Sequence, residues 1–136
     1  MPCSSTGYIV QNGTAWKGYS SAEVKAASKK AESHAERQAF QGFGNKSGPY
    51  LIVQDAFPCF DKCHQYFLAA SNTYSVIIKI TADNSFDGAS YVEEGLIAGL
   101  SAYPYYIYYR NGVATFRTGV PNAPQGFPAH PGPQNV

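Results

Sequence analysis

The chain predicts an α/β fold: a mixed sheet of about five strands with helices on both faces. Two strands stand out as short apolar runs between turn residues, Tyr50 to Gln54 and Ser75 to Thr81. Two Asn-Gly dipeptides, Asn12-Gly13 and Asn111-Gly112, lie between apolar runs and favour tight hairpin turns. Segments rich in helix formers alternate with these strands, giving the order β-β-α-α-β-α-β-(α)-β-β.

Taken in order, residues 7–19 read as a β-hairpin around Asn12-Gly13. Residues 21–31 turn to Ala, Lys and Glu, good helix formers, with Lys25, Lys29 and Lys30 on a solvated face. Ser33 is placed to cap a second helix running to about Phe43. A Gly- and Pro-containing loop then leads to the strand at 50–54. Pro58 suits the first turn of a third helix, reaching about Ala70, with Cys59, Cys63, Phe67 and Ala70 on its inward face. Val92, Leu96, Ile97 and Leu100 have helical spacing, interrupted by Gly95 and Gly99. A helix there predicts parallel strands on either side of it, whereas a loop allows an antiparallel pair. Residues 105–110 and 113–118 form the second hairpin, and from Pro121 the chain is Pro- and Gly-rich. The expected organisation is one folded domain, 1–120, with an extended tail, 121–136.

Composition narrows the function. At 44% hydrophobic and 14% charged, the chain can build a core. A net charge of +1 gives no global attraction for nucleic acid, so any such contact must come from a local patch. Three cysteines, an odd number, argue for metal binding in a reducing compartment over a disulfide framework. No apolar run is long enough to span a bilayer, and the N-terminus lacks a signal-peptide pattern, so a soluble protein is expected, with no membrane partner.

The chemistry centres on His34-Ala35-Glu36 and on Pro58-Cys59-Phe60-Asp61-Lys62-Cys63-His64. Together they offer one His and two Cys as zinc ligands, and such a tetrahedral catalytic site leaves a fourth position for water. His34 and Glu36 are two apart and point in roughly opposite directions on a regular helix, so Glu36 suits proton transfer beside a ligand. Glu36 also completes a capping box with Ser33, which is its structural alternative. Three residues separate the cysteines. Positions i and i+4 share a helix face, so both thiolates can reach one ion if the helix is rotated or locally adjusted. His64 is a replacement ligand on paper, but Cys59 and His64 are about 140° apart on a helix, which favours Cys63.

This pairing matches the H-x-E and P-C-x-x-C signature of zinc-dependent nucleobase deaminases, with one extra residue between the cysteines. The segments 33–40 and 57–67 resemble the deaminase domains of bacterial polymorphic toxins, within the cytidine deaminase superfamily. The resemblance implies a cytidine-deaminase-like fold for 1–120 and one Zn2+ per chain on His34, Cys59 and Cys63. It implies Glu36 as the proton carrier and hydrolytic conversion of cytosine to uracil. It further implies secretion within a larger toxin, action in the target-cell cytoplasm, and an immunity protein as partner; otherwise a cytoplasmic location is expected.

Single-stranded DNA is the expected substrate, ahead of RNA, because a base already out of a duplex avoids most of the unstacking cost. Tyr103, Tyr105, Tyr106, Tyr108 and Tyr109 occupy both faces of one strand, so some should be exposed for base stacking, with Arg110 and Arg117 nearby for phosphates. Tyr106, Tyr108 and Arg110 therefore join Ala35, Phe57, Pro58 and Trp16 as candidate substrate contacts, against the alternative of core packing. Two other functions fit the same residues: a free cytidine or nucleobase deaminase, and a zinc-stapled binding module without chemistry.

Overall fold

The structure, a computed structural model, describes residues 40–42, 50–84, 86–100 and 103–118, and the backbone of four further strands within 3–28. These strands are β1 (Cys3–Ile9), β2 (Gln11–Asn12), β3 (Ala15–Trp16) and β4 (Val24–Ser28). β5 (Tyr50–Gln54), β6 (Val76–Ile80), β7 (Tyr105–Arg110) and β8 (Val113–Thr118) follow. A π-helical turn, Phe60–His64, opens into helix α1 (Gln65–Ala70), and α2 (Gly88–Glu93) lies between β6 and β7.

Six strands form one mixed sheet in the order β4-β1-β5-β6-β7-β8, and β2 and β3 form a separate two-stranded ribbon. The α/β reading holds, with one strand more than expected. The extra strand is β4, in a stretch whose composition predicts a helix over 21–31. Its pairing with β1, from Cys3↔Ser28 to Gly7↔Val24, overrides that propensity. The first hairpin is also smaller than expected. β1 joins the main sheet, and among the described residues the hairpin pairs are Gln11↔Trp16 and Asn12↔Ala15.

β5 and β6 are parallel, as their crossover through α1 requires, whereas β6 and β7 are antiparallel. The parallel alternative fails because α2 stops at Glu93, with Glu94 as its cap and Gly95 at φ +75. Six helical residues span about 9 Å, too little to carry the chain back along a strand of about 16 Å. The second hairpin forms where expected, with Asn111 at φ 54 and Gly112 at φ 77.

Both described helices pack on one face of the sheet. Phe67 and Tyr91 join Ile52, Ile78, Ile107 and Tyr109 in a continuous buried core. The alternate residues Leu51, Ile77, Tyr106 and Tyr108 are buried too, so neither face of the central strands is open to water. Among the described residues no helix is long and apolar enough to cross a membrane. The segment 121–136 lies outside the described residues.

Candidate metal centre

Parallel strands end at a common rim, and chemistry in open α/β sheets gathers there. β5 ends at Gln54 and β6 at Ile80, which pair with each other across the ladder. β4 ends at the same rim, because β4 and β5 both run antiparallel to β1. Cys59 follows Gln54 by five residues and His34 follows Ser28 by six. β4 and β5 are separated only by β1, a span of about 10 Å at ordinary strand spacing. His34, Ala35 and Glu36 themselves lie outside the described residues.

The connection from β4 to β5 can nevertheless be traced at its far end. Residues 40–42 are helical, and the Phe40 ring packs edge-on against Phe67 at 5.6 Å and Tyr66 at 6.0 Å. It also touches Tyr50, at the start of β5. The segment 40–42 therefore lies against α1, on the sheet face that α1 covers.

The cysteines begin the second connection. Pro58 is buried, and its carbonyl accepts a hydrogen bond from the Tyr91 hydroxyl at 2.6 Å. Cys59 (φ −59, ψ 131) is still extended, and its sulfur accepts the Cys63 backbone N–H at 3.2 Å. In an α-helix that N–H would bond to the Cys59 carbonyl. Here the carbonyl is taken by the His64 N–H, one residue further on, at 3.0 Å. The stretch from Cys59 to His64 is thus one widened, π-helical turn. Cys63 is 0% exposed, Cys59 is half-buried, and neither is in a disulfide.

His64 is committed elsewhere. It is 4% exposed, its Nδ1 lies 2.7 Å from the Tyr109 hydroxyl, and its ring stacks on Phe60 at 5.3 Å. Burial pushes its pKa down to about 4, so the ring is neutral at pH 7. The ring is thus engaged in the core through Tyr109 and Phe60. Its bond to Tyr109 is what sequence reasoning missed; alternation along β7 is the only sequence signal that Tyr109 faces α1.

The donor chemistry fits zinc as far as it is described. Two sulfurs belong to one helical turn, and the Cys59 sulfur accepts the Cys63 N–H. Among the described residues no three His, Cys, Asp or Glu side chains group to hold a metal, the third candidate ligand being His34.

The substrate candidates separate. The expectation of exposed tyrosines on β7 is not met: Tyr105, Tyr106, Tyr108 and Tyr109 are all buried, Tyr106 at 4% and Tyr108 at 1% exposed. Both faces of the sheet are covered, so these rings pack instead of offering a stacking surface. Phe57 is also core, with its ring between Tyr91, Tyr103 and Tyr105. Arg110 is exposed but pairs with Val113 beyond Tyr109↔Val76, at the rim opposite Cys59. Arg117 is the better placed cation, because its neighbour Thr118 pairs with Tyr105 at the cysteine rim. An open groove of about 480 Å³ lies there, lined by Ile97, Gly99, Tyr105, Phe116, Arg117 and Thr118. The Trp16 side chain lies outside the described residues.

Comparisons with family models, with curated proteins and with solved structures give no match to this chain.

Proposed function

We propose that this chain is a zinc-dependent deaminase that converts cytosine to uracil in single-stranded nucleic acid, DNA before RNA, on a cytidine-deaminase-like fold. One observation carries the reading: Phe40 packs on Phe67. A helix from Ser33, as the sequence predicts, and the helical segment through Cys63 would then run side by side from one rim. Four residues before Phe40 is Glu36, and four before Phe67 is Cys63. If both segments are helical, one turn before the contact would stand the carboxylate on one and a thiolate on the other.

In this reading His34, Cys59 and Cys63 would hold the ion. When bound, zinc supplies a water acidified to a pKa near 7. Glu36 would carry two protons: one from the attacking water to the ring nitrogen, and one from the hydroxyl added at C4 to the amine, so that ammonia leaves and the C4 carbonyl of uracil forms. Phe57, Pro58 and Tyr91 close the core side of the site and exclude bulk water. The groove beside Phe116 and Arg117 is open, which favours a polymer over a free nucleoside needing a closed pocket. By the same resemblance we place the chain in a secreted toxin with an immunity partner.

Purified protein is incubated with single-stranded DNA, duplex DNA, RNA and cytidine, and uracil is measured. Uracil is expected from single strands. Glu36→Ala should lower the rate by at least about a hundredfold, the usual worth of a positioned proton carrier, while zinc content stays unchanged. Uracil formation that survives Glu36→Ala would overturn the mechanism. Turnover of cytidine alone would move the substrate to free nucleosides.

A further inference from the structure

We infer that His64 and Tyr109 are a positioning pair, whose buried hydrogen bond holds the widened Cys59–Cys63 turn in the one shape that presents both sulfurs to a single metal ion. The inference rests on the zinc reading above, and it goes beyond that reading by giving a role to two residues that touch neither metal nor substrate.

A π-helical turn is a rare local structure that needs outside support. Here the support converges on its last residue. The His64 N–H bonds the Cys59 carbonyl and closes the turn. The His64 ring stacks on Phe60, the first residue of the turn, with planes 23° apart. Its Nδ1 reaches the Tyr109 hydroxyl at 2.7 Å. Tyr109 is itself fixed, being fully buried, paired with Val76 in the sheet, and packed against Phe67. The turn is thus tied to a rigid strand through one polar contact, and both partners are shut away from any replacement water. Without that contact the turn can relax to an ordinary α-helical start. The Cys63 N–H would then return to the Cys59 carbonyl and leave the Cys59 sulfur.

The pair is tested on the full chain through metal binding. Zinc affinity is measured by competition with a chelator, and the thiolate-to-metal charge-transfer band is recorded with Co2+. Wild type should take up one zinc. Tyr109→Phe keeps the ring and removes the hydroxyl. It should lower zinc affinity about tenfold, the low end for groups that orient ligands, and alter the cobalt band. His64→Asn, which keeps a polar atom near Nδ1, should bind zinc more tightly than His64→Leu. Ser71→Ala, at the far end of α1, is the control for general loss of stability and should bind zinc as wild type does.

Wild-type affinity and spectrum in Tyr109→Phe would overturn the inference, as would an equal loss in Ser71→Ala. If Tyr109→Phe does not fold, equal affinities for the two His64 variants would overturn it instead. A wild-type chain that takes up no zinc would sink the zinc reading itself, a different failure from an unchanged variant.

Discussion

Gly112 and Asp83 show how single residues carry local conformation and charge. Gly112 sits at φ +77 in the β7–β8 turn, and a Cβ there would meet the Asn72 side-chain oxygen at 3.1 Å. Gly112→Ala should therefore cost about 1–2 kcal/mol, the usual penalty for a left-handed residue with a side chain, as measured by urea unfolding. This turn was legible in advance, since Asn111-Gly112 is the dipeptide that tolerates positive φ at both positions. Asp83 accepts the Gly88 N–H at the start of α2, yet burial raises its pKa above the ordinary 3.8. The folded state then binds this proton more readily than the unfolded chain, so stability falls as pH rises through the folded pKa. Asp83→Asn keeps the acceptor and loses the charge. It should be at least as stable as wild type at pH 7, and the difference should narrow as pH falls toward 3.8. Melting curves across that range would check this.

At the scale of elements, α1 joins the segment at Phe40 to the sheet. Phe67 is fully buried and touches Phe40, Tyr66 and Tyr109, so it fastens the β4–β5 connection to the sheet. Phe67→Ala should destabilise the protein by about 3–5 kcal/mol, read by chemical unfolding. The far end of α1 is tied down as well, with the Ser71 hydroxyl accepting the Gly112 N–H and the Ser71 carbonyl accepting that of Asn111. The strands at 50–54 and 76–80 could be read from their β-branched and aromatic residues, because burial on both faces leaves no polar alternation to confuse the pattern. Val24–Ser28 could not, since Ala and Lys prefer helix locally and only pairing with a distant strand makes them extended. The segment after Ser90 kept helical spacing in its apolar residues, but Gly95 ends the helix before that spacing can act. For the site, residue types named Cys59 and Cys63, whereas the widened turn between them depends on the contact of His64 with a residue forty-five positions away.

For the molecule as a whole, a metal on Cys59, Cys63 and His34 would link stability to zinc. Ligands that bind only the folded state raise its melting temperature by mass action. Chelation should lower the melting temperature, zinc should restore it, and Cys63→Ser should remove the difference between the two conditions. Differential scanning fluorimetry would show all three; a chelator without effect on wild type would count against the metal.

β1 is the seam between β4 and β5, pairing with β4 from Cys3 to Gly7 and with β5 from Ser5 to Ile9. In the zinc reading each neighbour would feed one half of the catalytic set. A chain trimmed of its first nine residues would keep every ligand and the carboxylate, but nothing would stitch the two feeder strands together. Such a protein should lose zinc and activity together while β5 to β8 still assemble. In the zinc reading β1 would then be the spacer that sets how far apart the chemical groups stand.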